Sequence, residues 1–327
     1  MYTENIGKDG YRFAKAFLTN QLARFTPGLY LTLTHESGRG GDGGEPSQTV
    51  DYFFRCFSDY GERLGVDADG FAHFLKGKTV LEYGPGDILG VALLMYAHGA
   101  RSVHCVDRFP REKISQKNID TYNELLDRLG PEQRDRAVGA FNEPGDPGSG
   151  FNPELVKYSV TRDGLINEAG AYDLIVSRSV LEHVNHLDMT IGDIANALKP
   201  DGISIHSVDL KSHNLDRYLP FDFLTWPEPI YRLMNSHKGR PNRWRVGKYQ
   251  ECVTRAGLRF KLLAPTGQLR SDQIERIRPK LAAPFRGLPT EELTWQGFWM
   301  VLEPGQAETR RHDAEAAPAL EASAAQG

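Results

Sequence analysis

The chain has 327 residues, of which 40% are hydrophobic and 25% charged, a balance typical of a globular protein and unlike a collagen, a coiled coil or a disordered chain. Its formal net charge of −4 argues against a general nucleic-acid-binding protein, whose domain is usually strongly basic. Three widely spaced cysteines, Cys56, Cys105 and Cys252, form neither a disulfide framework nor a zinc pattern and suggest a reducing, cytoplasmic setting.

Helical patterns dominate the first part of the chain. Apolar side chains recur at helical spacing over 11–25 and again over about 48–64, with a glycine-rich stretch at 38–46 between them. We therefore predict that residues 1–76 form a helical N-terminal extension with a mobile loop. Neither a secretory signal nor a membrane span is expected, because the most apolar stretch, 88–97, is about half the ~20 residues that a span needs.

From residue 78 onward, short β-rich segments alternate with helical patterns, which is typical of a parallel α/β sheet. The strands are predicted at 79–83, 103–107, 172–177, 203–208, 258–263 and 295–302. Helices are predicted at 88–98, about 112–129 and 187–198, the last ending at a turn over 199–202. The glycine- and proline-rich span 130–155 is predicted to be a loop, and the tail, 304–327, to be disordered.

The most informative segment joins the first predicted strand to a helix through Gly84 and Gly86. Glycine is needed where the backbone turns sharply and approaches a ligand without a Cβ in the way. Asp107 stands 21 residues after Gly86, at the end of the next predicted strand. A carboxylate at that position can accept hydrogen bonds from the two ribose hydroxyls of a nucleotide. Together these features predict a nucleotide-containing cofactor, although the glycines could also be turn residues and Asp107 a strand-end cap.

Two cofactor classes use this arrangement. Gly90 completes a pattern similar to a dinucleotide-binding loop, but Asp87 at the helix start would repel a pyrophosphate, and Glu82 suits a positively charged ligand. S-adenosyl-L-methionine carries a sulfonium and an ammonium and no phosphate, so the acidic loop favours it. A short-chain dehydrogenase would also need a Tyr-x-x-x-Lys pair downstream, whereas the match, Tyr11 to Lys15, lies upstream. An NAD(P)-dependent oxidoreductase and a cofactor-binding protein without turnover remain the alternatives.

The loop 82–86, Asp107, the run 172–183 and the turn 198–202 resemble, in order and spacing, the class I S-adenosylmethionine-dependent methyltransferases that act on small molecules. The resemblance covers roughly 77–303. It implies a Rossmann-like α/β fold with a mostly parallel seven-stranded sheet and helices on both faces, preceded here by the helical extension. It also implies S-adenosyl-L-methionine as the cofactor.

The same resemblance places the cofactor-binding residues after the first four strands. They are Glu82, Tyr83, Gly84, Pro85, Gly86, Asp107, Arg108, Asp163, Ser177, Arg178 and Ser179. The loop glycines and the acid before them would border the methionine end, Asp107 would hold the ribose, and 177–179 would line the pocket. Asp163 would reach the adenine amino group.

Titratable side chains cluster after the fourth and fifth predicted strands, at the carboxyl edge where ligands bind in open α/β sheets. The candidate catalytic residues are His206, Asp209, His213 and His183, the last preceded by Glu182. Imidazoles and a carboxylate could form a general base for a hydroxyl acceptor or an open divalent site, and no metal ligand is assigned. Alternatively, His206 is a buried core residue, Asp209 caps a turn, and the 182–183 pair forms only a pocket wall.

The stretch 232–248 holds six lysines and arginines and no acid. It could receive an anionic substrate, carrier or phosphate, and a solvated loop is the alternative. Nucleic acid is disfavoured as a substrate, since the chain lacks the Asn/Asp-Pro-Pro-aromatic motif that resembles base amino-group methylation. We therefore predict methyl transfer to a small-molecule acceptor at a hydroxyl oxygen. The N-terminal helices and an insertion at about 210–250 would form the substrate lid, and the sequence does not predict the oligomeric state.

Overall fold

The computed structural model describes residues 2–34 and 44–305. Most of the predicted mobile loop at 38–46, and the tail beyond residue 305, lie outside the described residues. None of the helices in the described ranges combines the length and hydrophobicity of a membrane span.

Seven strands form a single sheet in the order β3-β2-β1-β4-β5-β7-β6. The strands are β1 (Thr79–Tyr83), β2 (Ser102–Asp107), β3 (Val156–Val160), β4 (Tyr172–Arg178), β5 (Leu198–Asp209), β6 (Leu258–Gln268) and β7 (Trp295–Pro304). Strands β1 to β5 pair in parallel, whereas β7 runs antiparallel to β5 and β6. The strand order reverses between β1 and β4, and open sheets bind ligands beyond the carboxyl ends at such a point. The predicted Rossmann-like, mostly parallel seven-stranded fold is confirmed.

Thirteen α-helices lie within the described ranges. They are α1 (Ile6–Phe25), α2 (Pro27–Thr34), α3 (Pro46–Leu64), α4 (Ala68–Leu75), α5 (Gly90–Ala97), α6 (Gln116–Asp127), α7 (Pro131–Val138), α8 (Leu187–Ala197), α9 (Glu228–Asn235), α10 (Val246–Arg255), α11 (Ser271–Ile277), α12 (Ala283–Arg286) and α13 (Thr290–Thr294). One hydrophobic core packs α3, α5 and α6 on one face of the sheet, and another packs α8 and α10 on the opposite face.

Gly90 shows how tightly the first of these cores is packed. A Cβ atom at this position would lie 2.2 Å from the ring of Phe53 on α3, closer than any non-bonded contact allows. All eight residues of α5 are buried, as expected for a helix held between the sheet and a second helix. The third glycine of the loop pattern is therefore required for helix packing.

Helix α1 and the insertion at 210–250 form one unit, here called the cap. The guanidinium of Arg217 binds the carboxylate of Asp9 at 2.9 Å, and both side chains are almost fully buried. The amide of Asn20 donates to the Leu233 carbonyl at 3.0 Å, and the Lys238 ammonium donates to the Ala16 carbonyl at 3.0 Å. Buried polar groups of this kind are strongly destabilising when one partner is lost, so these contacts fix α1 on the insertion.

Two details differ from the sequence-based expectation, and a third region carried no prediction. The predicted loop 130–155 contains α7, which begins with a proline at its first turn, and half of whose residues are charged, so that it shows no apolar periodicity. Residues 199–202 belong to β5, and the pairing with β4 shifts there. The connection 269–294 carries α11 to α13, whose apolar side chains pack against the cap in a core of their own.

Candidate functional site

A cavity of about 1270 Å³ lies at the carboxyl edge of the sheet, beneath the cap. The ends of β1 and β2 form one wall, and the segment after β4 together with the loop after β5 forms another. The C-terminal turn of α1 and the residues 237–240 complete the lining. Because the ligand edge of an open α/β sheet lies here, this cavity is the candidate active site.

The loop after β1 is shaped by Gly84. Its φ is +63°, and an added Cβ would lie 2.5 Å from Cγ2 of Val180. Its backbone N–H donates to the Val106 carbonyl at 2.8 Å. The loop therefore needs glycine both for the left-handed backbone and for the close approach of the segment after β4, and Gly84 faces the cavity as a result.

Asp107 ends β2 and lies at the cavity wall with 9% of its surface exposed. Its Oδ1 accepts a hydrogen bond from the backbone N–H of Phe109 at 3.0 Å. Burial raises the pKa of this carboxyl, and the nearby Arg111 opposes the rise. The N–H of Thr161 donates to the Asp107 carbonyl at 3.0 Å, which holds the loop after β3 against the same wall and brings Asp163 into the cavity lining.

The structure brings about half of the predicted site residues to the cavity. Those that line it are Tyr83, Gly84, Asp107, Arg108, Asp163, Ser179, His183 and His213. Those that are not part of its lining are Glu82, Pro85, Gly86, Ser177, Arg178, His206 and Asp209.

Glu82 and Arg178 face α3 instead of the cavity. The carboxylate of Glu82 is buried, accepts a contact from the Cys105 thiol at 3.7 Å, and burial raises its pKa to about 7. Arg178 pairs with Asp59 of α3 at 2.5 Å and stacks over the Trp299 ring. Alternate residues of a strand point to opposite faces, so Glu82, which precedes Tyr83, and Arg178, which precedes Ser179, project away from the cavity.

Ser177 and His206 lie inside the sheet. The two are register partners on β4 and β5, both are fully buried, and the Ser177 hydroxyl lies 2.8 Å from Nδ1 of His206. Burial lowers the pKa of His206 to about 3, so its imidazole is neutral. Strand β5 continues to Asp209 between β4 and β7, and for this reason His206 does not reach the carboxyl edge.

Three titratable side chains meet at the cavity wall: Glu182, His183 and His213, here called the Glu-His-His cluster. Oε1 of Glu182 lies 3.9 Å from Nε2 of His183 and 4.0 Å from Nε2 of His213. The two imidazole rings lie edge to face with their centres 4.8 Å apart. Asp209 stands beside the cluster, with Oδ2 at 3.7 Å from Nε2 of His213.

Burial controls the charges in this cluster. It raises the pKa of Glu182 well above its ordinary value and lowers the pKa of His183 to about 3, with the adjacent His213 adding to the fall. It also lowers the pKa of His213, which Asp209 opposes. Both imidazoles are therefore neutral near pH 7, the form that can accept a proton or bind a metal ion.

Backbone contacts hold the cluster in place. Glu182 and His183 lie on a short 3₁₀ helix, Leu181–His183, whose carbonyl groups accept hydrogen bonds from Asn242 of the cap, including Asn242 N to the Glu182 carbonyl at 2.6 Å. Ser179 and His213 have φ of +53° and +49°. Left-handed backbone at residues other than glycine is strained and concentrates at functional sites, and both residues line the cavity.

Arginine side chains from separate parts of the chain converge on the same cavity. They are Arg24, Arg108, Arg111, Arg162 and Arg240. Of the basic stretch 232–248, Arg240 and His237 line the cavity, whereas Arg243 and Arg245 are buried structural residues that donate to backbone carbonyls. The stretch is thus largely buried and not a solvated loop.

The sequence did not single out Arg24 or Arg111, and it indicated Glu182 only as the partner of His183, in proton removal or in a pocket wall. Arg24 ends a helix that was assigned to the lid as a whole, and nothing in its local pattern distinguishes it from other surface arginines. Arg111 follows Asp107 by four residues, which is a usable signal, because side chains just after a ligand-binding strand lie near the ligand.

The chain is similar to known proteins. A sequence model of the methyltransferase domain family matches residues 59–260. No curated protein matches the chain. Among solved structures, an S-adenosylmethionine dependent methyltransferase from Mesorhizobium loti is 18% identical over 70% of this chain and 91% of its own, with a TM-score of 0.38. A TehB-like SAM-dependent methyltransferase from Corynebacterium glutamicum is 16% identical over 79% of this chain and 97% of its own, with a TM-score of 0.36.

The family match covers well over half of the chain and includes β1, β2, β4 and β5 with the loops that form the cavity. This match favours a methyltransferase over the NAD(P)-dependent oxidoreductase alternative. The chain belongs to the class I S-adenosylmethionine-dependent methyltransferases and is an enzyme that uses S-adenosylmethionine as its cofactor.

Proposed function

We propose that this enzyme transfers the methyl group of S-adenosylmethionine to a hydroxyl oxygen of a small, anionic molecule. The observation that carries the proposal is one continuous cavity, which joins Gly84 and Asp107 at one wall to His183 and His213 at another. Its volume of about 1270 Å³ exceeds the roughly 300–1,000 Å³ of a typical site for one ligand. Cofactor and acceptor can therefore occupy it together.

The cofactor side of the cavity is assigned to Asp107 and its neighbours. We infer that the Asp107 carboxylate accepts hydrogen bonds from the ribose hydroxyls and that Asp163 contacts the adenine. Tyr83, Gly84 and Ser179 would border the methionine end. The residues that do not line the cavity, Glu82 and Arg178 among them, would act by shaping the loop and α3 rather than by touching the cofactor.

The charge of the lining favours an anionic acceptor. Five arginines face a cavity whose lining includes the two carboxylates Asp107 and Asp163. Both carboxylates are assigned to the cofactor. Guanidinium groups bind carboxylates and phosphates through paired hydrogen bonds, so the surplus arginines would hold such a group on the acceptor. The cap covers the cavity, which favours a small molecule over a macromolecule.

The Asp209–His213 pair is assigned to proton removal. In the transfer, an oxygen lone pair of the acceptor forms the new bond to the methyl carbon, and the carbon–sulfur bond breaks with its electrons passing to sulfur. The hydroxyl proton passes to the pair, whose members lie 3.7 Å apart, with the His183 ring against His213. Proximity supplies most of the acceleration, about 7–11 kcal/mol for well-oriented reactants, and the base adds ~10²–10⁴-fold.

The three cysteines are buried, free thiols, which is consistent with the reducing cytoplasmic setting that we infer for the enzyme. The partners that we propose for the enzyme are the cofactor and the small anionic acceptor.

The test uses S-adenosylmethionine with an isotope-labelled methyl group and a panel of hydroxy compounds, each offered with a free carboxylate or phosphate and as its neutral ester. We expect labelled methyl ethers from the anionic members and at least ~10-fold lower kcat/KM for the esters. His213→Ala should lower kcat by ~10²–10⁴-fold, whereas His237→Ala, a histidine of the same cavity away from the pair, should change it little. Label at nitrogen or carbon, or equal use of the neutral esters, would contradict the proposal.

A further inference from the structure

We propose that the Glu-His-His cluster is a binding site for a divalent first-row transition-metal ion such as Zn²⁺, Mn²⁺ or Fe²⁺. One ligand atom from each of Glu182, His183 and His213 lies within 4.8 Å of the other two, and the two histidines line the cavity. Two imidazoles and a carboxylate suit these ions, whereas Mg²⁺ and Ca²⁺ prefer oxygen ligands. The inference rests on the proposed function in one respect: the group that the ion would face is the hydroxyl oxygen of the proposed acceptor.

The unpaired polar atoms of the cluster are the independent observation. Glu182 is 1% exposed, and neither of its carboxylate oxygens makes a hydrogen bond of normal geometry with the described residues, although the Ser179 side chain and the Asp209 backbone lie near enough to oppose the rise of its pKa. The same lack of a hydrogen bond holds for Nε2 of His213, the ring nitrogen that faces Glu182. Buried polar groups in native proteins nearly always have a partner, and a buried carboxylate without one is strongly destabilising. A cation between the three side chains would supply the partner.

The geometry needs only a small adjustment to hold an ion. Bonds from such an ion to nitrogen or oxygen are about 2.0–2.2 Å, so its ligand atoms lie roughly 3–3.5 Å from one another. The present separations of Glu182 from the two imidazoles are 3.9 and 4.0 Å, and all three ligand atoms lie within 4.8 Å of one another, so the side chains would draw together around a bound ion. The backbone is already fixed, because Asn242 binds the carbonyl groups of the 3₁₀ helix.

An ion at this site would keep coordination positions open toward the cavity, as catalytic metal sites do. A hydroxyl bound to a divalent ion has a lowered pKa, so the ion would assist the proposed transfer at oxygen. His213 would then serve as a ligand. Asp209, next to His213 but outside the cavity lining, would then receive the proton through a water molecule.

The test is metal binding by the full chain without an affinity tag, after treatment with EDTA and gel filtration. Co²⁺ is followed by its visible absorption and Zn²⁺ by calorimetry, with Mg²⁺ as a comparison ion. We expect one Co²⁺ or Zn²⁺ per chain and no response to Mg²⁺ at equal concentration. Glu182→Gln and His213→Ala should each weaken binding by at least about tenfold, since changes even in groups that only support a metal ligand have effects of that size.

The matched control is His186→Gln, since His186 lines the same cavity but stands outside the cluster, and it should bind Co²⁺ as the unmodified enzyme does. Glu182→Gln replaces a buried unpaired carboxylate by a neutral group of the same shape, so it should fold, and retained S-adenosylhomocysteine binding would demonstrate this. Absence of Co²⁺ binding, or equal binding by Glu182→Gln, overturns the inference.

The two proposals fail separately. Methyl transfer to hydroxyl acceptors that persists in EDTA, from a protein that binds no Co²⁺, overturns the metal site and leaves the proposed function intact. Co²⁺ binding that depends on Glu182, in a protein that methylates no hydroxyl acceptor of the panel, supports the metal site and overturns the acceptor class.

Discussion

Replacement of Asp107 by asparagine tests the assignment of the cofactor wall. The variant keeps the shape of the side chain, and its Oδ1 can still accept the hydrogen bond that Phe109 N–H donates at 3.0 Å. The amide nitrogen that replaces the other oxygen cannot accept a hydrogen bond from a ribose hydroxyl. The substitution therefore removes one charge-assisted hydrogen bond to the cofactor and leaves the local fold unchanged.

The expected magnitude follows from the burial of Asp107. A hydrogen bond to a charged group contributes about 1.5–3 kcal/mol, and Asp107 is only 9% exposed, so water cannot replace the lost acceptor. Binding of S-adenosylhomocysteine should weaken by about 10- to 150-fold, since each 1.4 kcal/mol is a factor of about ten. Calorimetric titration at pH 7.5 measures this directly.

Asp146→Asn is the matched control. Asp146 also accepts a hydrogen bond from the backbone N–H two residues later, Gly148 N at 2.8 Å, but it is exposed and does not line the cavity. Its replacement should leave the affinity unchanged. If Asp107→Asn binds S-adenosylhomocysteine within about twofold of the unmodified enzyme, the ribose is held elsewhere, and the assignment of this wall is wrong.

Three further predictions concern the fold around the site. Gly84→Ala should destabilise the fold and weaken S-adenosylhomocysteine binding more than Gly65→Ala does. Both glycines have a positive φ, which destabilises alanine by about 1–2 kcal/mol, but only at Gly84 would the added Cβ meet a side chain, at 2.5 Å. Equal effects of the two substitutions in thermal unfolding and in titration would contradict this. Asp9→Asn should lower the unfolding free energy by about 3–5 kcal/mol because it breaks a buried ion pair. Asp127→Asn, in an exposed pair, should lower it by at most ~1 kcal/mol. Equal losses in urea titration would refute the conclusion that the ion pair fixes α1 on the insertion. The pKa of His206 is lowered to about 3 in the folded protein from about 6.5 in the unfolded chain. The contribution of His206 to stability is therefore full above about pH 6.5 and is lost as the pH falls toward 3. His206→Gln should flatten this part of the stability–pH profile, and an unchanged slope would show that another group controls it.

The strand–loop–helix segment could be predicted because its signals are local. Strand β1 has the predicted bounds, 79–83, since a short apolar run followed by two glycines leaves few other conformations. Asp107 ends β2 as predicted, because the neighbouring parallel strand pairs with β1 residue by residue. The family resemblance rests on these same residues, which explains why the fold class and the cofactor were also predicted.

The position of His206 could not be predicted in the same way. The local pattern ends the fifth strand at about 208, and the dense run of titratable residues suggests a site at the strand end. The structure extends β5 through pairing with β7, where His206 opposes Met300 and Asp209 opposes Gly297. These partners lie about ninety residues away in the chain, so the pattern around 203–213 carries no information about them.

Glu182 shows why the chemistry of the site could not be predicted from the local sequence and depends on the fold. In the sequence it is one half of a Glu-His pair at the start of a helix, a position where a carboxylate ordinarily improves the helix dipole at the surface. In the structure, the cap closes over it, Asn242 binds its backbone, and His213 arrives through a left-handed turn thirty-one residues later. A carboxylate that is exposed in the isolated segment thus becomes buried and unpaired. Buried polar groups without a partner are uncommon in native proteins, and departures from local rules concentrate at functional sites. For this reason we propose that Glu182 belongs to the catalytic wall, although no sequence motif singles it out.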